Sequence, residues 1–498
     1  MATIEFPDVL FGTSTSAYQI EGAYNEDGKT FSILDTAYHG KQTSNGAAGR
    51  SNGYLKTAAA YVPKTKVNQA NSCPVPKNND NGDIACDSYH KIEEDVSNLK
   101  DLGVQVYRFS ISWTRIFPGG SDKANPLGIN YYKKLIEQLK AEKITPMVTL
   151  YHWDLPQELQ DIGGWANEEI IENFLVYCRL VFGTFGDDVK YWITLNEPRM
   201  VANGYGGCSL PPKLGDQCSG IEDYKAMRNL LLAHAKAYRL YEKEFKEKQQ
   251  GEVTLCIDAA WVFPFEKNSD DKYAAELCLQ STVGVFIQPL ITGQFPQIVL
   301  DSIEKTNRET NRKTKRLIQF NEDEKKLLTG SYDYIGFNYY FSWRVSALSE
   351  NDITPETPLK TIDQGYITKK TLPTDIVEGF TKLVDWMNEQ FKVSSKSGSH
   401  KFFICENGTP TNNYEDKVNY HQGIFEEMYK AIKNNINIFG YCVWSFMDSF
   451  EWGSGYEPKY GIYEVDFNDE KRTRTKKPFF GYFKKLFQTK KLTIKGKI

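Results

Sequence analysis

The sequence has no uninterrupted apolar run of the roughly 18–20 residues that a helical membrane span needs, so no span is expected. Its start, MATIEFPDVLFG, lacks the basic-then-apolar layout of a signal peptide. No excess of either charge exists: 60 Lys and Arg against 64 Asp and Glu leave a net charge of −4. That balance presents no basic face and excludes nucleic acid as the main partner. Histidine is scarce, six in 498 residues, with no pair at metal-ligand spacing on one helix. CxxC pairs are missing altogether, which argues against a zinc ribbon or a thioredoxin-like site. No metal or other cofactor is expected.

Aromatic residues, in contrast, are abundant: 30 Tyr, 29 Phe and 9 Trp make up 14% of a chain that is 40% apolar. The overall profile is that of an ordinary globular protein. There are nine cysteines. Cys208 and Cys218 share one Gly/Pro-rich loop, and Cys73 and Cys86 flank a second polar stretch. Two loop disulfides fit those spacings and would place the protein in a secreted or lumenal compartment. The other reading keeps all nine as free thiols in a cytoplasmic protein, with Cys256, Cys405 and Cys442 inside apolar, strand-like runs.

Short β-branched and apolar runs recur at 9–14, 104–111, 144–150, 189–195, 253–261, 334–340, 401–406 and 438–444. Between them lie segments of helical period: 87–102, 130–142, 167–182, 226–248, 269–284, 375–392 and 415–434. The first opens on Asp87-Ser88 and closes at Gly103, as cap and stop preferences predict. Strands alternating with helices over this length predict an α/β fold, a (β/α)8 TIM barrel with long loops at its C-terminal face. The rival, an open doubly wound sheet, would favour a GxGxxG turn after the first strand; the run here is GTSTSAYQIEG. A polar stretch at about 40–83 reads as a surface insertion and 345–374 as a loop. The rhythm resumes after each, so residues 1–498 are expected to form a single domain.

In such a barrel, side chains at the C-terminal ends of the strands face the active site. Those ends carry Gln19 and Glu21, Arg108, His152, Asn196-Glu197, Asn338 and Tyr340, Glu406, and Trp444. Two carboxylates, Glu197 and Glu406, stand at the fourth and seventh ends. Nearly every other end offers an amide, imidazole, guanidinium, phenol or indole. This composition suits a sugar: bidentate polar groups for hydroxyls, an aromatic face for the ring, and paired carboxylates for the bond. Taken singly, each of these residues has an ordinary structural reading. Together they support a carboxylate-pair hydrolase in a barrel.

The blocks FGTSTSAYQIEGAYNEDGK, YRFSISWTRIFP, YHWDLPQ, TLNEP, GFNYY, CENG and WSFMDSFEWGSGY resemble, in series, the motifs of glycoside hydrolase family one. The style of NEDGK, ACDSYHKIEEDV, AHAKAYRLYE and FNDEKRTRTKKP is most similar to the β-glucosidases and myrosinases of insects and related animals. The resemblance implies a retaining β-glycosidase acting on a small-molecule β-glycoside. Glu406 would be the nucleophile. Glu197 would protonate the leaving oxygen and then deprotonate water. Retention places two such carboxyls roughly 5–5.5 Å apart. Arg108 and Tyr340 match positions that hydrogen-bond the nucleophile. Gln19, His152 and Glu451 match those binding the outer sugar hydroxyls, and Asn196 the one holding the 2-hydroxyl. Asn338 belongs to the same site. Trp444 resembles the platform under the ring and Trp452 a contact near the 3- and 4-hydroxyls. The Glu451 carboxylate would repel a phosphate, which disfavours 6-phosphoglycosides.

The chain departs from that pattern in places. Tyr460 stands where many members have Phe, Thr409 follows ENG where an aromatic is common, and Leu34 replaces a frequent Trp. Arg199-Met200-Val201 and Trp343 alter the expected aglycone side. Plant myrosinases replace the acid Glu by Gln, whereas this chain keeps Glu197. The aphid type binds sulfate with a Lys and an Arg at positions that here hold Asn203 and Trp343. Arg344 and Arg199 are the nearby cations. The alternatives are therefore a thioglucosidase or, on the same fold, a non-catalytic glycan- or partner-binding module. Asn407-Gly408-Thr409 is a formal sequon expected to stay unmodified. Assembly as a homodimer is compatible with this reading.

Overall fold

The computed structural model describes residues 2–39, 76–121, 123–207, 209–392 and 400–494. Eight parallel strands close into a barrel: β1 (Leu10–Ser14), β2 (Val106–Ser110), β3 (Thr145–Tyr151), β4 (Tyr191–Asn196), β5 (Glu252–Asp258), β6 (Ile335–Asn338), β7 (Lys401–Asn407) and β8 (Asn437–Trp444). Seven lie within two residues of the apolar runs expected from the sequence, and β5 stops three residues short of the expected 253–261. β8 pairs with both β7 and β1, which completes the ring. The expected α/β barrel is therefore the fold.

Inside the ring, Val106, Met147, Ile193, Cys256, Tyr334, Phe403, Cys405 and Cys442 pack into a closed apolar plug. Inward and outward side chains alternate along each strand, so the residues one layer above this plug are those that open toward the C-terminal mouth. The register between neighbours breaks at two telling places. β4 slips against β5 between Ile193 and Asn196, and β7 slips against β6 between Ile404 and Glu406. Such irregularities re-aim the side chains that follow them. Here the side chains that follow are Asn196, Glu197 and Glu406.

Several expectations need correction. Asp87 does not cap a helix: it takes a left-handed backbone, φ 58°, and bonds His90 Nδ1 at 2.6 Å. The helix begins at Ile92, although it stops at Gly103 as expected. The 345–374 loop contains structure. Trp343–Ala347 and Tyr366–Lys369 pair antiparallel, and Val262–Pro264 adds a third strand. The polar Thr/Pro content hid it, because this small sheet sits outside the barrel and has no continuous apolar face. The helix Phe480–Thr489 gave no signal beside its very polar neighbour. Yet Phe480, Phe483 and Phe487 share one buried face, and Phe487 stacks on Phe11 of β1 at 5.9 Å. Much of the 40–83 insertion, residues 40–75, falls outside the described residues.

The expected loop disulfides, Cys208 with Cys218 and Cys73 with Cys86, are not confirmed. Cys86 and Cys218 are free, buried thiols, and Cys86 Sγ lies 3.1 Å from the Asp448 carbonyl. Their expected partners, Cys73 and Cys208, lie outside the described residues. Burial pushes the Cys86 thiol well up, as for an inert core cysteine. These cysteines therefore lend no support to a secreted or lumenal location. The run Ser269–Thr292 is long and apolar enough to pass as a membrane span by composition, but 89% of its apolar window is buried inside the protein. It is a core helix, interrupted by a wide turn at Gln280–Gly284.

Candidate active site

The site is assembled by one fully buried cation. From β2, Arg108 Nη1 donates to Glu406 Oε1, Nη2 donates to Asn196 Oδ1 at 2.6 Å, and Nε donates to Thr149 Oγ1 at 3.2 Å. One guanidinium therefore spans β2, β3, β4 and β7. Tyr340 OH donates to the other oxygen, Glu406 Oε2, at 2.7 Å. Burial, and then the Glu406 charge, hold the Tyr340 phenol well above its usual range, so it remains a donor. Glu406 thus has a cation on one oxygen and a hydroxyl on the other, and is 3% exposed.

Glu197 has different company. Its Oε1 accepts from the neutral amide Asn338 Nδ2 at 2.7 Å, and the same nitrogen lies 3.2 Å from Asn196 Oδ1. Burial raises the Glu197 carboxyl well above the carboxylate range, with Asp258 and then Glu406 adding to the rise. The two carboxyls therefore sit in contrasting surroundings, a cation and a phenol around Glu406 and burial with a neutral amide around Glu197, which favours Glu197 as the acid. Glu197 adopts left-handed backbone, φ 47° and ψ 63°. For a residue with a Cβ that costs on the order of 1 kcal/mol. It is fixed by a 2.8 Å bond from its own N–H to the Cys256 carbonyl, and Pro198 opens the following helix.

The remaining expected residues ring this pair. Asn196 Nδ2 donates to His152 Nε2 at 3.0 Å, which leaves the proton on Nδ1, a buried atom with no protein partner. Desolvation, reinforced by Arg108, keeps the imidazole neutral. His152 stacks between Trp444 at 6.2 Å and Trp452 at 6.1 Å. Gln19 is locked by Ser16 Oγ at 2.6 Å and by its own bond to the Phe450 carbonyl at 2.7 Å, which ties the first loop to the last. Next to it, burial lifts the Glu451 carboxyl to about 8, and Ser449 Oγ donates to it at 3.1 Å. Tyr460 meets Tyr340 edge to face at 6.0 Å. The structure therefore brings together Gln19, Arg108, His152, Asn196, Glu197, Asn338, Tyr340, Glu406, Trp444, Glu451, Trp452 and Tyr460 at one mouth.

Sequence reasoning found no candidate at the end of the fifth strand. Asp258 stands there, and the strand-end rule that found the others would have found it too. Its Oδ2 receives Arg199 Nε at 2.6 Å and also Nη2. Arg199 lies 5.3 Å over the Trp343 ring, which in turn stacks on Phe341 at 6.0 Å. These groups and Met200 border a cavity of about 140 Å³ that opens beside Glu197. Asn407 of the sequon is buried, with its amide bonded to the Tyr339 carbonyl and Tyr420 OH, and with Tyr441 OH donating to it. That position is closed to glycosylation. Among the described residues no cluster of His, Cys, Asp and Glu could hold a metal.

Comparison with known proteins agrees with this geometry. The profile of Glycosyl hydrolase family 1 matches residues 2–56 and 67–492. Myrosinase 1 of Brevicoryne brassicae is 38% identical over 499 residues, covering 98% of this chain and 99% of that protein. Beta-glucosidase 25 of Oryza sativa subsp. japonica is 34% identical over 520 residues, covering 98% and 95%. Among solved structures, an aphid myrosinase superposes with a TM-score of 0.84 at 37% identity, covering 98% of this chain and all of that one. With the profile matched from end to end and the paired carboxyls seated at the mouth of a closed barrel, the chain belongs to glycosyl hydrolase family 1 and is a β-glycoside hydrolase.

Proposed function

We propose that this enzyme releases the non-reducing terminal β-D-glucosyl residue of small O-glycosides by double displacement. The observation that carries the reading is the contrast between its two carboxyls. Glu406 is fixed by Arg108 and Tyr340, and Glu197 is buried against a neutral amide. Glu406 attacks the anomeric carbon while Glu197 gives its proton to the departing oxygen. A covalent glucosyl-enzyme results. The Glu406 charge, which adds to the rise of Glu197 after burial and Asp258, has then gone into the ester, so Glu197 is freer to ionise and to take a proton from the incoming water. Asn196 holds the 2-hydroxyl, whose hydrogen bond strengthens in the transition state, so it acts on rate more than on binding. Gln19, His152 and Glu451 receive the outer hydroxyls, with Trp444 beneath the ring.

A thioglucosidase is the second reading, favoured by the Brevicoryne brassicae relative. The cations near the leaving group speak against it. Arg199 is paired with Asp258, and Arg344 is held by both oxygens of Asp375 at 2.7 Å. Asn203 accepts from Lys360 Nζ at 2.8 Å, and that ammonium also faces Asp223. A sulfate would have to displace a carboxylate from each guanidinium. Initial rates on aryl β-glucoside, β-galactoside, β-fucoside and a glucosinolate, with Glu406→Gln as the blank, test the reading. O-glucoside turnover that vanishes in the blank supports it. Glucosinolate as the best substrate replaces it with the second reading. Silence from a folded sample points to a binding module.

A further inference from the structure

Asp258 lies outside the network that holds the two carboxyls, yet it is placed to act on one of them. It ends β5 in register with Asn338 of β6, the residue that donates to Glu197. It borders the same cavity as Glu197. Its Oδ2 is saturated by Arg199, and its Oδ1 is buried without a protein partner. Arg199 Cζ also lies 5.3 Å over the Trp343 ring, a second contact beside its ion pair. An Asp258–Arg199 ion pair therefore sits on the same cavity as Glu197.

We propose that Asp258, held by Arg199, is a positioning residue that sets how far into alkaline pH Glu197 keeps the proton it gives to the leaving group. A second negative charge nearby disfavours ionisation of a carboxyl. Asp258 is the largest charge acting on Glu197, ahead of Glu406, while Arg199 acts in the opposite sense. The other charged or titratable groups around Glu197 are Glu406 from β7, Tyr340 from the segment just after β6, and Arg108 of β2 with His152 from just after β3 through Asn196. Lys360 and Tyr366 approach Asp258 and Arg199 from the outer segments. None of these changes when Asp258 alone is altered, so the effect of Asp258 can be isolated. The inference rests on Glu197 being the proton donor.

The experiment is the pH profile of kcat/KM for 4-nitrophenyl β-glucoside. In Asp258→Asn the repelling charge is gone and Arg199 is left unopposed. Glu197 then ionises earlier, and the alkaline limb moves down by about one pH unit. The acid limb stays in place. In the double variant Arg199→Met/Asp258→Asn both charges are removed, and the limb returns toward wild type. The double variant also guards against poor folding of the single one, and thermal melts check both. An unmoved limb in Asp258→Asn, joint movement of both limbs, or a double variant displaced as far as the single one overturns the proposal. A 2,4-dinitrophenyl β-glucoside, whose leaving group needs no proton, separates this from the underlying reading. If its profile shows the same alkaline limb, Glu197 is not the donor, and that reading fails instead.

Discussion

Arg108 and Asn196 are joined by a 2.6 Å hydrogen bond from Nη2 to Oδ1, and the neighbouring Nη1 of the same guanidinium holds Glu406. The carboxylate and the amide are thereby fixed by one planar fork, while Asn338 links that amide to Glu197. The site behaves as one chain of hydrogen bonds running from Glu406 to Glu197. Disturbing its centre moves both ends.

Arg108→Lys keeps the charge and removes the fork. A lysine ammonium reaching Glu406 from β2 cannot also hold Asn196 and Thr149 in their present planes. A hydrogen bond to a charged group is worth about 1.5–3 kcal/mol, so kcat/KM on an aryl β-glucoside should fall by roughly ten- to hundredfold. Less than a threefold loss in a folded variant would show that the fork is dispensable.

Glu197→Ala should separate substrates by leaving group. An aryl glucoside with a poor leaving group loses nearly all turnover. A 2,4-dinitrophenyl glucoside still glycosylates Glu406 and gives a burst of 2,4-dinitrophenolate, because the second step lacks its base. Azide needs no base and should restore steady turnover, with β-glucosyl azide as product. Equal losses on both substrates without a burst would remove Glu197 from its assigned role.

Acid stability should depend on His234. Its Nδ1 lies 2.7 Å from Thr194 Oγ1 and its Nε2 donates to the Ser331 carbonyl at 2.8 Å. Burial drives this imidazole down to about 3, against about 6.5 in an unfolded chain. Between those values the unfolded state binds the extra proton. Stability therefore falls as pH drops from about 6.5 toward 3. His152 and His421 are depressed in the same direction. His234→Gln keeps a donor and an acceptor without a titrating ring. Its urea midpoint should decline less than that of wild type between pH 7 and pH 4.5, measured side by side. Parallel declines would assign the acid sensitivity elsewhere.

Cys86 and Cys218 should react as thiols once the chain is opened. Both are buried, so alkylation of the native protein leaves them unmodified. In denaturant without reductant, mass spectrometry should find each fully alkylated. Recovery of either in a disulfide-linked peptide would restore the loop staples expected from the sequence.

The strand rhythm, and with it the barrel, could be read from the chain because a parallel barrel strand is buried on both faces and so writes itself as a short apolar run. The rim residues were legible for a related reason: a polar or charged side chain directly after such a run has only the C-terminal mouth to face. Glu197, Glu406, Arg108 and their neighbours were named on that rule and on family resemblance. Local signals failed where non-local partners decide the outcome. Asp87 looks like a helix cap, yet His90 competes for its carboxylate. Cys86 looks like half of a loop staple, yet core packing against the Asp448 carbonyl claims it.

What the sequence determined by itself was the alternation of strands and helices, the identity of the two carboxyls and the absence of a basic face. Only the tertiary structure decided which carboxyl meets a cation and a phenol and which is pushed toward its protonated form. That depends on Arg108 and Tyr340 reaching Glu406 and on Asp258 and burial acting on Glu197, across residues far apart in the chain. A charge state is set by the summed field and the solvent lost at one point in space. The order of residues along the chain does not contain that sum until the barrel closes.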